Sequence, residues 1–151
     1  PQKVEEKVNL IKNCTNMLVQ GFFILGYPTE TEQTIRETIE FACRLPLDMA
    51  MFSPFRATPG TGIAHWLKEN EPEFTPKWDD HSVEKMTYHP KGITLDELAK
   101  WNRTAYREFY LRPRIVWNIL KTMKGKRQLS VLSSKFRRRL FRPAYSGGSK
   151  T

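Results

Sequence analysis

With 151 residues and 39% hydrophobic side chains, the chain is long enough to bury one core. No apolar run approaches the ~20 residues that cross a bilayer and the opening residues lack a secretory pattern, so a cytoplasmic protein is expected. The net charge of +9 is uneven: residues 1–99 carry 10 Lys/Arg against 15 Asp/Glu, while residues 100–151 carry 15 Lys/Arg against Glu108 alone.

The chain opens on Pro1 and enters a helical pattern at once, through Val4, Val8 and Ile11, so it reads as a piece of a longer polypeptide. Asn13 to Asn16 end that helix. Met17 to Leu25 then form a nearly continuous apolar run closed by Gly26 and Pro28, the pattern of a strand buried on both faces of a parallel sheet. Thr29 and Glu32 have capping-box spacing, and Ile35, Ile39, Ala42 and Cys43 continue at helical period until Pro46. A second apolar strand is predicted over Leu47 to Phe55. Strand, helix and strand with short links make a βαβ unit, hence parallel and right-handed.

A turn-rich loop through Pro54, Pro59, Gly60 and Thr61 leads to a short helix over Ile63, Ala64, Trp66 and Leu67. Residues 70–92 read as an irregular loop carrying Trp78, His81, Tyr88 and His89, able to pack over something. Thr94 and Glu97 make a further capping box, with Leu95, Leu98, Trp101, Ala105 and Phe109 behind it. Pro113 interrupts that helix, and Ile115, Val116, Ile119, Leu120 and Met123 resume it until Gly125. Leu129, Leu132, Phe136 and Leu140, opposite Lys135 and Arg137 to Arg139, mark a last amphipathic helix, and residues 146–151 a flexible end. There is no fixed-period repeat, which excludes a solenoid.

The chemistry concentrates at Gly26 to Thr31 (GYPTET), where a strand ends and a helix begins. In parallel α/β folds ligands gather at this edge. Gly26 leaves room for a close backbone approach, and the helix start offers unpaired N–H groups. Glu30 either meets a ligand or favours the helix start. Cys14 and Cys43, with no paired ligand nearby, are predicted to be buried inert thiols. His65, His81 and His89, at spacings of 16 and 8, match no metal site. No Gly-x-Ser-x-Gly elbow or phosphate loop is present, which removes hydrolase and nucleotide-triphosphatase readings.

The run Gly21 to Thr31 (GFFILGYPTET), a helix, Asp48 to Phe55 (DMAMFSPF) and Ala57 to Thr61 (ATPGT) together resemble the last third of the radical S-adenosylmethionine barrel. The likeness is closest to the subgroup with a cobalamin-binding domain ahead of the barrel. It covers residues 4–67 well and about 95–120 loosely, where Phe109 to Pro113 resembles the helical extension after the barrel. The resemblance implies an α/β fold: a partial (half) parallel β/α barrel over residues 1–70, an irregular loop over 71–93 and a basic helical extension over 94–145. It further implies that Ile24 and Gly26 lie along the adenosyl group of S-adenosylmethionine, that Glu30 braces the loop, and that Phe55, Pro59 and Gly60 shape the floor of the site. The family's three-cysteine loop for an iron–sulfur cluster is absent, and two cysteines cannot replace it. The chain is therefore expected to act as part of a parent oxidoreductase or methyltransferase, lending cofactor contacts and a wall for a small-molecule or lipid substrate, with no catalytic or metal residue of its own.

Its expected partners are the remainder of the parent chain or, because a half-barrel leaves open edges, a second copy. The rival reading is a non-catalytic basic module holding RNA or an anionic membrane surface through residues 126–142.

Overall fold

The computed structural model describes residues 1–74, 86 and 88–122. The amphipathic segment 126–142, the end 146–151, Trp78 and His81 lie outside the described residues. The elements are α1 (Gln2–Cys14), β1 (Gln20–Leu25), α2 (Glu32–Arg44), β2 (Met49–Pro54), α3 (Gly62–Asn70), α4 (Leu95–Tyr110) and α5 (Pro113–Thr122).

β1 and β2 pair in parallel, from Gln20 opposite Met49 to Leu25 opposite Pro54. Because side chains alternate along a strand, this register sorts the sheet into two faces. Gly21, Phe23 and Leu25 with Ala50, Phe52 and Pro54 turn towards α2 and α4. Gln20, Phe22 and Ile24 with Met49, Met51 and Ser53 form the other face. There Phe22 is 72% and Ile24 57% exposed, so among the described residues β1 is covered on one face and not on both as its apolar run suggested. Hydrophobic content alone does not say which side of a strand is covered; the helices decide it.

The covered face builds the core. Ile35, Ile39 and Ala42 of α2 and Leu98, Ala105 and Phe109 of α4 meet Leu25 and Phe52, with Ile115 of α5 completing the cluster. Each buried Leu, Ile or Phe among them is worth about 1.5–3 kcal/mol as an upper estimate. Phe52 is central: Phe23 stacks on it at 5.2 Å, and Tyr106 and Phe109 meet it edge-on at 5.4 and 6.2 Å.

The helix starts correct one expectation. α2 is capped by Thr31 and Thr34, each hydroxyl accepting from the other's backbone N–H, and not by Thr29 with Glu32. The reason is that Tyr27 to Glu30 is itself a turn, Glu30 N–H reaching Tyr27 O at 2.9 Å with Thr29 at φ 74°, so the helix cannot begin until Thr31. The Thr94 and Glu97 box of α4 forms as its spacing predicts. Arg44 is the last helical residue before Pro46, and Pro113 opens α5 at the position where its missing N–H costs nothing.

α1 buries no residue. It is held by the half-buried Val8, by Glu5 to Arg44 at 3.4 Å and by Lys12 Nζ to Asp48 Oδ2 at 2.8 Å. Asp48 also accepts Val19 N–H at 2.8 Å. Burial acts to raise the Asp48 carboxyl, but the Lys12 and Val19 bonds outweigh it and hold the group below its usual range. Cys14, expected to be buried, is exposed at the end of this helix, because a helix that contributes nothing to the core leaves its last turn in water; Cys43 is half-buried. No described helix is long and apolar enough to cross a membrane.

Candidate functional site

Parallel pairing brings the C-terminal ends of β1 and β2 to one rim, and Phe55 N–H donates to Leu25 O at 2.7 Å as the last rung. Each strand then leaves through a tight turn. After β1 it is Tyr27-Pro28-Thr29-Glu30; after β2 it is Thr58-Pro59-Gly60-Thr61, closed by Thr61 N–H to Thr58 O at 3.3 Å with Gly60 at φ 82°. A positive φ in third place is what a type II turn requires, and proline in second place favours it. A third turn, Pro90 to Ile93, precedes α4; it shares the positive φ in third place, at Gly92 (86°), but has Lys91 in second place and its proline first.

Glu30 organises the first turn. Its Oε2 accepts Gly26 N–H at 2.5 Å and Tyr27 N–H at 3.1 Å. Burial pushes its carboxyl above the ordinary carboxylate range, and the two N–H bonds pull the other way without cancelling the shift. Those two N–H groups are thereby taken by the protein itself, so a ligand at this rim meets side chains and carbonyls before it meets them.

Gly26 is buried with φ 82°, and the place a Cβ would take is filled by Leu98 Cδ2 at 2.6 Å. Glycine is required here by the left-handed backbone and by α4 packing; the room expected for a ligand is occupied by Leu98 on that side.

The structure gathers Ile24, Gly26, Glu30 and Phe55 at the rim. Ile24 lies opposite Ser53 on the open face. Phe55 is buried and meets the rings of Tyr27 at 5.0 Å and Tyr88 at 5.5 Å, both edge-on. Pro59 and Gly60 stand further along the chain in the turn that opens α3, half-buried and exposed respectively, and Gly60 has open space where a Cβ would sit.

Two rim residues escaped sequence reasoning. Tyr27 was read only as part of a motif, yet its ring covers Phe55; Ser53 sits next to Ile24 through the register, which period-two alternation could have revealed once pairing was assumed. Tyr88, from the segment expected to pack over something, does so: it is buried against Phe55 and Phe74, and its hydroxyl donates to the Glu71 carboxylate at 3.1 and 3.2 Å. Burial, then the Glu71 charge, pushes the Tyr88 phenol well above its usual value, so it stays protonated.

An iron–sulfur cluster needs converging thiolates, and Cys14 on exposed α1 and Cys43 on α2 do not supply them. Among the described residues no group of three or more His, Cys, Asp or Glu could hold a metal ion, and His65 and His89 are exposed. For an adenosyl group the rim offers apolar contact through Ile24 and Tyr27, with the Ser53 hydroxyl adjacent, on a face not covered by the described helices.

No family model matches the chain. Among curated proteins it is similar to an uncharacterised methyltransferase of Pyrococcus horikoshii, 33% identical over 96 residues, which cover 64% of this chain and 21% of that protein. It is 26% identical over 108 residues to the bacteriochlorophyllide d C-12(1)-methyltransferase of Chlorobaculum tepidum, covering 72% of this chain and 22% of the relative. Against the anaerobic magnesium-protoporphyrin IX monomethyl ester cyclase of Cereibacter sphaeroides it is 25% identical over 108 residues, covering 72% and 17%. The chain thus spans about a fifth of the length of the curated relatives it matches. These similarities support a distant relationship, at low identity, to the radical S-adenosylmethionine superfamily.

Proposed function

We propose that this chain forms the closing β/α units of a partial barrel in a radical S-adenosylmethionine enzyme that transfers a methyl group or closes a ring. The observation that carries the reading is the in-register parallel pairing of β1 with β2, which sets the Gly26 to Glu30 turn beside Phe55 at one rim. Helices α2 and α4 pack on one face only, and the opposite face carries Phe22, Ile24, Met49 and Met51, as the inner wall of such a barrel requires. The named activities of the methyltransferase and cyclase relatives favour the same class.

In this reading Ile24 and Tyr27 lie against the adenosyl group and Glu30 keeps the Gly26 turn rigid beneath it. Phe55 is held by Tyr27 and Tyr88 and sets the floor, with Pro59 and Gly60 bounding it. The cluster that would cleave the cofactor reductively is held elsewhere in the parent, since this chain has no place for it. Membership of the cobalamin-binding subgroup belongs to the proposal as well.

The test is S-adenosylmethionine affinity of the intact polypeptide, measured by titration calorimetry for the parent and for Ile24→Glu. Ile24 is exposed, so the substitution spares the core. The expected result is at least a ten-fold loss, equivalent to about 1.4 kcal/mol, with an unchanged circular dichroism spectrum. Unchanged affinity would overturn the assignment of this rim.

A further inference from the structure

A strand at the edge of a sheet presents N–H and C=O groups that recruit further strands. In a parallel ladder alternate residues turn these groups to opposite edges. Met49 and Phe55 bond towards β1, so Ala50 and Phe52 face away from it. Their backbone groups are nevertheless satisfied, and by side chains of one helix. Tyr110 Oη accepts Ala50 N–H at 3.3 Å and donates to Ala50 O at 2.8 Å. Tyr106 Oη accepts Phe52 N–H at 3.2 Å and donates to Phe52 O at 3.2 Å, and Asn102 Nδ2 donates to the same carbonyl at 3.2 Å.

We infer that α4 replaces a neighbouring strand, sealing the outer edge of β2 so that the sheet can be extended only beyond β1. The fit is a matter of pitch. Residues four apart on a helix advance about 6.0 Å, and residues two apart on a strand about 6.6 Å. Asn102, Tyr106 and Tyr110 therefore run antiparallel to β2 and keep step with it over the two residues they serve. A phenol suits the task because one oxygen both donates and accepts, as the facing backbone of a partner strand would through two groups. The rings add packing: Tyr106 lies edge-on to Phe52 at 5.4 Å, and Tyr106 and Tyr110 stack at 6.1 Å with 11° between their planes.

β1 has no counterpart to this arrangement. Among the described residues no strand pairs with its other edge. The asymmetry makes β2 a terminal strand whatever the sheet of the longer protein holds. The inference does not depend on the cofactor reading, since it rests on hydrogen bonds within the chain.

The test is residue-resolved amide hydrogen exchange and sedimentation on the intact polypeptide carrying Tyr106→Phe with Tyr110→Phe. Expected are at least ten-fold faster exchange at Ala50 and Phe52, little change at Met51 and Ser53, whose N–H groups face β1, and concentration-dependent self-association absent from the parent. The single variant Tyr110→Phe guards against global unfolding: it is expected to accelerate Ala50 alone. Equal exchange at Ala50 and Phe52 in parent and double variant, or a double variant as monodisperse as the parent, would overturn the sealing role.

Discussion

The turn after β1 and the turn after β2 share a hydrogen-bond pattern and a proline in second place, but the third place holds Thr29 in one and Gly60 in the other. A β-branched residue at φ 74° is held there against its preference, at a cost of about 1–2 kcal/mol. What holds it is adjacent: the Glu30 carboxylate ties Gly26 and Tyr27, and Thr31 with Thr34 fixes the helix behind. The second turn has glycine and needs only the short Thr61 hydroxyl bond to Thr58 O at 2.7 Å. Backbone strain at the rim is thus confined to the turn that Glu30 braces, which is the turn the cofactor reading places against the adenosyl group.

Substitutions can break this contrast in decreasing steps. Gly26→Val meets both the left-handed backbone and Leu98, and is expected to destabilise by about 3 kcal/mol or more in urea denaturation. Glu30→Ala leaves two N–H groups without their acceptor and is expected to cost about 2 kcal/mol by the same measurement, with Glu30→Gln, which keeps one acceptor oxygen, costing about half. Exchanging the third residues sharpens the comparison. Gly60→Thr, with no neighbour in the way, should cost about 1 kcal/mol from backbone strain alone, whereas Thr29→Gly should gain rather less than that, because glycine also loosens the unfolded chain. Thermal unfolding of the two single variants gives both signs.

The smallest effect is in pH. The folded state holds the Glu30 carboxyl above its ordinary value, chiefly by burial, so its contribution is complete below that ordinary value and is lost as pH rises through the raised one. Asp48 behaves oppositely: its carboxyl is depressed, so its contribution is present above the ordinary value and lost as pH falls. Denaturation midpoints measured from pH 3 to 8 should therefore flatten on the alkaline side in Glu30→Gln and on the acid side in Asp48→Asn.

Much of the frame was legible in residues 17–67. The apolar runs, Pro46 and the short links lead directly to two strands around a helix, and the observed pairing is parallel. Thr94 with Glu97 marked α4 because a carboxylate three residues after a threonine is a strong signal. Thr31 with Thr34 was missed for the converse reason: a hydroxyl at the third position is a weaker sign, and Thr29 with Glu32 offered the stronger spacing two residues too early. The rim was legible as far as Ile24, Gly26, Glu30 and Phe55, which the fold brings together. The Leu98 contact was not, since a methyl from 72 residues away leaves no local trace. Nothing in the spacing of Tyr106 and Tyr110 tells what their hydroxyls bond; that is visible only beside the outer edge of β2.

Among the described residues α1 is fastened by one half-buried valine and two ion pairs. A helix so lightly fastened is expected to open at a small fraction of the free energy that melts the core, because a 13-residue helix is marginal in water without a packed face. A protease acting on the native protein is therefore expected to cut between α1 and β1 while leaving β1 onward intact, and the cut would part Lys12 from Asp48, the carboxylate it bonds at the entrance to β2.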